Sequence, residues 1–278
     1  MQRLYRTHIK PKPIENQIHT SAKQLSVVVI TFNESANIAR CLDSVRNIAD
    51  EILVVDSYST DDTVAIAASK GARILEHPFE GYIEQRGYAV ENAKYDFILA
   101  LDADECVSEE LEKEVLALKQ NWKYDCYVTN RLNGIGGQWI RYGTWYPDPK
   151  MRIFDRRKAI CTGTTPHDRI EPLEGASLGK LKGDILHYSD DNVADRIHSV
   201  NNLTSSSAKY LFEQGKRTNW LIIFFKPWIK FLTVYWLRRG FLDGFYGFVI
   251  AKSLSQYTYL QQIKLMELQR KQKAQNHG

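Results

Sequence analysis

The sequence predicts an α/β fold on a mostly parallel sheet, and three features predict it. Short apolar, β-branched runs recur at 25–32 (LSVVVITF), 51–55 (EILVV) and 97–101 (FILAL). Stretches with helical spacing lie between them, and each run ends in polar residues: Thr31 to Glu34, Asp56, and Asp102 to Glu105. Strands that alternate with helices at this spacing imply right-handed crossovers, and in such sheets ligands gather beyond the carboxyl ends of the strands.

The first run reads as a strand covered on both faces. Asn33, Glu34 and Ser35 then open a helix whose apolar residues Ile38, Leu42 and Val45 fall at i, i+4 and i+7. The second strand enters Asp56 and a polar turn, Ser57 to Asp62, before a helix from Thr63 to Lys70. A strand at 73–75, a helix at 83–93 and the strand at 97–101 complete the alternation. After a helix at 108–118 the pattern changes to a stretch rich in Tyr, Trp, Gly and Arg, from Tyr127 to Asp148, suited to extended pieces and loops. Further strands are expected at 150–154, 167–171 and 181–187, a helix at 191–212, and a final amphipathic helix at 254–272.

Of the 278 residues, 44% are hydrophobic and 25% charged, with 16 Gly and 8 Pro, which excludes a disordered or collagen-like chain. The four cysteines stand singly and the opening MQRLYRTHIKPKP carries no apolar run, so a reducing compartment is expected. A net charge of +4 hides an asymmetry: residues 1–24 carry 5 basic and 1 acidic side chains, residues 25–208 carry 20 and 29, and residues 209–278 carry 12 and 3. The acidic middle argues against nucleic acid as a partner. The basic, aromatic end suits an anionic membrane surface or a solvated helical face.

Asp102 and Asp104 stand two residues apart at a strand end, where two carboxylates can project toward one hard divalent cation and its phosphate ligands. A DxD pair alone is weak, but this one follows an apolar strand in the right order with Asp56. Taken together, SVVVITFNESANIARCLDSV, EILVVDSYSTDDT and FILALDADE make the chain resemble a family-2 glycosyltransferase with the GT-A nucleotide-diphospho-sugar transferase fold. Trp145-Tyr146-Pro147-Asp148, His167-Asp168, Leu186-His187-Tyr188 and Gly240-Phe241-Leu242-Asp243-Gly244 extend the resemblance to lipopolysaccharide core β-1,4-glucosyltransferases.

That resemblance implies roles. Thr31, Asn33, Glu34 and Asp56 would bind the nucleotide, with Asp102, and Arg86 would neutralise the diphosphate. Asp102 and Asp104 would hold Mg²⁺ or Mn²⁺, with His187 as a third ligand and His167 as its competitor. Asp168 is the candidate base, or else a surface carboxylate paired with Arg169. It is shorter than the glutamate the subgroup more often presents there. Trp145, Tyr146 and Arg152 are the expected acceptor-binding residues, with Trp139 a further aromatic in the same stretch. The implied organisation is a basic tail (1–24), a catalytic domain (25–212, its nucleotide-binding half 25–107 and acceptor-binding half 108–212) and a basic aromatic helical region (213–278).

From Trp220 to Leu237 the chain is long and apolar enough to cross a bilayer, yet Lys226, Pro227 and Lys230 lie inside it. A lysine at the bilayer centre costs roughly 2.5–3.5 kcal/mol, so lying in the interface is the better expectation, with packing on protein as the alternative. The expected enzyme inverts at the anomeric carbon and moves a hexose, glucose first, from a UDP-sugar to a lipid-linked saccharide. It would work at the cytoplasmic face, peripheral on the inner membrane surface. Transfer to polyprenyl phosphate and a non-catalytic nucleotide-binding scaffold are the alternatives.

Overall fold

The computed structural model describes residues 22–164 and 167–275. The expected basic tail therefore lies, up to residue 21, outside the described residues. Two compact units emerge: one takes the described residues up to Thr129 together with Lys150–Ile185, the other Asn130–Pro149 together with the described residues from Leu186 on. The divisions between the units fall inside strands.

In the first unit, β1 (Leu25–Thr31), β2 (Glu51–Asp56), β3 (Arg73–Glu76) and β4 (Phe97–Asp102) pair in parallel in the order β3-β2-β1-β4. β1 is buried at every position, as a near-continuous apolar run requires. α1 (Ile38–Val45), α2 (Thr63–Ser69) and α3 (Tyr82–Asn92) are the crossovers. Helix α1 starts later than expected because Asn33 sits at φ 54°, a left-handed conformation that Asn tolerates and a helix start does not allow. Ile38, Leu42 and Val45 are buried on β1 and β4 residues such as Val27, Leu99 and Leu101.

Beyond β4 the sheet continues with four further strands of mixed sense, two of them where strands were expected at 150–154 and 181–187. They are β5 (Glu105–Val107), β6 (Cys126–Ile135), β8 (Pro149–Asp155) and β11 (Leu178–Asp190), in the spatial order β4-β8-β6-β11-β5. Helix α4 (Glu109–Gln120) is capped by the Ser108 hydroxyl, which accepts from the Leu111 N–H. β9 (Ala159–Thr164) and β10 (His167–Pro172) form a separate antiparallel pair in which Asp168 stands opposite Gly163.

The second unit holds β7 (Gln138–Trp139), paired with the end of β6, and the helices α5 (Val193–Glu213), α6 (Trp220–Leu232) and α7 (Gly244–Gln275). Helix α7 begins ten residues before the expected 254. A π-helical turn (Thr233–Leu237) and a 3₁₀ turn (Gly240–Asp243) join α6 to α7. The Gly-Phe-Leu-Asp-Gly segment is a joint: the buried Asp243 carboxylate accepts from the Arg141 and Tyr142 N–H groups at 3.1 and 2.8 Å. A Cβ on Gly247 would run into the Gly240 carbonyl oxygen, a backbone atom that cannot turn aside. Gly247→Ala is therefore expected to destabilise the protein by about 1–3 kcal/mol, read as a lower urea midpoint at unchanged slope. A midpoint equal to that of wild type would contradict the close packing.

Candidate active site

The register of the parallel strands assembles the site. Thr31 stands opposite Asp56, and Ile30 opposite Asp102, so the ends of β1, β2 and β4 deliver their polar residues to one sheet edge. The loops after β1 and β2 are laced together. The Asn33 N–H donates to the Ser59 hydroxyl, the Glu34 N–H to the Thr63 hydroxyl, and the Thr60 N–H to the Asn33 side-chain oxygen, each at 2.8 Å. The Ser35 N–H donates to Asp61 at 3.1 Å. Hydrogen bonds from the Thr63 hydroxyl, then from backbone N–H groups, hold the Asp61 pKa down to about 2.

Asp56 acts inside this lacing. Its side chain is fully buried, and its oxygens accept from the Ser59 N–H at 2.7 Å and the Ser59 hydroxyl at 2.5 Å. The carboxylate expected to meet a nucleobase also caps the turn after β2 and shapes the loop. Thr31 is 5% exposed, and its hydroxyl is buried without a hydrogen-bond partner among the described residues. Phe32 and Tyr58, on these same two loops, are exposed aromatics that the motif reading passed over.

A chain of alternating charges runs from the DxD turn to the candidate base. Arg86, on α3 and 2% exposed, donates through Nη2 to Asp102 Oδ1 at 2.9 Å and through Nε and Nη2 to Asp168 Oδ2 at 3.3 and 3.2 Å. Arg152, on β8, donates through Nη2 to Asp102 Oδ2 at 3.1 Å and to Glu105 Oε1 at 3.0 Å. Glu105 is wholly buried and also accepts the Asp102 N–H at 3.1 Å. Burial works against the Arg152 charge, but Glu105, Asp102 and Asp168 more than offset it and raise its pKa above the ordinary guanidinium value.

Several expected placements change. Arg152, expected beside the acceptor loop and able to neutralise diphosphate charge, is 7% exposed and braces Asp102 from the sheet. The partner of Asp168 is Arg86; the alternative partner, Arg169, pairs with Glu171. Glu105 stands inside the motif, yet no role follows from its position in the chain, because its partner Arg152 lies 47 positions away on another strand. Tyr82, on α3, also belongs here: burial and then the charges of Asp102, Asp168 and Asp104 raise its pKa.

Oxygen ligands are what a hard cation takes, and the carboxylates crowd as such a site requires. Burial raises the Glu34 pKa, the Asn37 amide works against the rise, and the charges of Asp104, Asp61 and Asp102 add to it. The carboxylates of Asp102 and Asp104 offer the oxygen donors that a hard divalent cation would take. Among the described residues, however, no three His, Cys, Asp or Glu side chains converge as a ready cation site. His187 lies in the second unit, its Nδ1 at 2.7 Å from the Asn133 side-chain oxygen and 2.8 Å from the Ser189 hydroxyl. The His167 side chain lies outside the described residues.

In the second unit Trp145 is half-buried. It packs with Ile135, Ile140 and Ile250, accepts from the Asn133 amide through its carbonyl at 3.0 Å, and carries the Arg196 guanidinium 5.0 Å from its ring centroid. Tyr146 follows it, half-buried, and Trp139 meets Tyr188 edge to face at 5.0 Å.

The model of the glycosyl transferase family 2 matches residues 26–173, the segment that carries this sheet edge and the charge chain. The chain is a family 2 glycosyltransferase. A glycosyltransferase of Rickettsia typhi is 34% identical over 259 residues, 88% of each chain. The lipopolysaccharide core biosynthesis glycosyltransferase LpsC of Rhizobium meliloti is 29% identical over 260 residues, 87% of this chain and 92% of its own. Among solved structures, the mannosyltransferase PcManGT from Pyrobaculum calidifontis, in complex with GDP-mannose and Mn²⁺, matches with a TM-score of 0.52 at 15% identity over 92% of this chain and 90% of that one. This likeness establishes the GT-A fold of the family 2 enzyme.

Proposed function

We propose that this glycosyltransferase moves a hexose, glucose first, from a UDP-sugar to a lipid-linked saccharide of the lipopolysaccharide core type, with inversion at the anomeric carbon. The observation that carries the reading is the bridge from Asp102 through Arg86 to Asp168, which joins a phosphate-side carboxylate to a candidate base. The homology to LpsC supports the acceptor class.

Asp102 and Asp104 would hold the divalent cation, which when bound neutralises the charge that develops on the departing diphosphate. Arg86 orients Asp168, because its Nε and Nη2 both donate to the same carboxylate oxygen. Asp168 then accepts the proton of the attacking acceptor hydroxyl as the new C–O bond forms and the bond to the diphosphate oxygen breaks. Asn33 and Glu34 meet the nucleotide from the laced loop, Asp56 acts through that loop, and the exposed rings of Phe32 and Tyr58 offer faces for a base to stack on. Trp145 and Tyr146 serve the acceptor saccharide.

Attachment to the inner face of the membrane is part of the proposal. Trp220–Leu237 is one helical stretch long and apolar enough to cross a bilayer, and only 17% of it is buried. A helix apolar all round and left uncovered needs an apolar surrounding, and Lys226 and Lys230 within it favour lying in the interface.

The test is release of nucleoside diphosphate across a panel of nucleotide sugars, with truncated lipid-linked core saccharide and polyprenyl phosphate as parallel acceptors. UDP-hexose with the core acceptor should turn over, stop with chelator and resume with Mn²⁺ or Mg²⁺; Asp104→Ala should lose at least a hundredfold. Turnover indifferent to chelator and to Asp104→Ala would remove the metal role. Transfer to polyprenyl phosphate alone would replace the acceptor class.

A further inference from the structure

We propose that the groove between α6 and α7 takes one hydrocarbon chain of an anionic membrane lipid, a reading that rests on the membrane attachment proposed above and deepens it. The groove encloses about 740 Å³, inside the roughly 300–1,000 Å³ range of small-ligand sites, and lies within the second unit. Its α6 wall is apolar: Trp220, Ile223, Phe224, Pro227, Trp228 and Phe231 fall at i, i+3, i+4, i+7, i+8 and i+11, one helical face. The α7 wall is amphipathic, with Lys252, Ser255, Gln256 and Tyr259 on one stripe. The Ser255 hydroxyl donates to the Pro227 carbonyl at 2.9 Å and ties the two helices together.

Charge selects the occupant. Between residues 220 and 266 there are 6 basic side chains and a single acid, Asp243, which is buried and already accepts two backbone N–H groups. The one charged side chain lining the groove among the described residues is the cationic Lys252. A ligand that fits is apolar along its length and anionic at one end, where the exposed Lys252 meets it. A second copy of this chain would bring a like-charged surface and be repelled. Trp220 and Trp228, 62% and 61% exposed on the groove wall, suit the depth where acyl chains meet headgroups.

The experiment titrates the full-length protein with dodecyl phosphate below its micelle concentration and follows tryptophan emission. Inorganic phosphate serves as control, and vesicles of phosphatidylglycerol or phosphatidylcholine form a second arm. Expected are a saturable one-site change, about tenfold weaker binding in Lys252→Glu, and no response to inorganic phosphate. Brominated phosphatidylglycerol should quench the emission, and Trp220→Phe/Trp228→Phe should lose most of that quenching while still sedimenting with the vesicles. Circular dichroism checks that Lys252→Glu is folded. Unsaturable binding, binding equal in Lys252→Glu, or a dimer that masks the groove overturns the inference. Vesicle binding without dodecyl phosphate binding sinks the groove alone, whereas failure to bind phosphatidylglycerol vesicles sinks the membrane attachment with it.

Discussion

Asp168→Asn is expected to slow sugar transfer by about 10²–10⁴-fold, the usual contribution of a positioned base. Asparagine keeps the shape and can still accept from Arg86, so donor affinity should change little. The charge able to take the acceptor proton is lost. Single-turnover kinetics separate the two effects: the chemical step falls while donor Kd stays within about threefold. The Arg86–Asp168 contact at 3.2 Å adds a second signature, since Arg86→Lys, which loses the two-pronged grip, should lower kcat without abolishing it. A Asp168→Asn enzyme with wild-type turnover would move the base elsewhere, with the undescribed neighbourhood of His167 the first place to look.

The largest stability effect is expected at Arg152. Replacement by Met leaves Glu105, fully buried, without its guanidinium and removes one of the two arginines on Asp102. Breaking one side of a buried pair costs roughly 3–5 kcal/mol, because the remaining charge has no water to turn to. Urea unfolding of Arg152→Met should show that loss, and Arg152→Met/Glu105→Gln should recover part of it, since glutamine can still accept from the Asp102 N–H. Arg152→Met unfolding within 1 kcal/mol of wild type would mean that Glu105 finds another partner.

Sequence periodicity reached the parallel core because its signals are local. β1, β2 and β4 are short apolar runs, α1 repeats Ile38, Leu42 and Val45, and the acids follow directly where the strands end. From Glu105 on, the strands of the main sheet pair with partners far along the chain, so β5 and the full length of β11 escaped notice, and of the β9–β10 pair only the second strand was expected. The same distance hid the roles of single residues. Arg86 and Asp168 are 82 positions apart, and Arg152 and Glu105 are 47.

By itself the sequence determined the α/β class, the polar residues at the strand ends, the DxD pair and the basic, aromatic C-terminal region, because side-chain type and spacing carry all of these. Only the tertiary structure decided that Asp56 is a buried turn cap, that Arg152 braces Asp102 from the sheet, that Arg86 joins Asp102 to Asp168, and that α6 and α7 leave a groove between them. The physical reason is that an ion pair or a groove is a relation between residues brought together by folding, and its energy depends on the burial and partners that folding supplies.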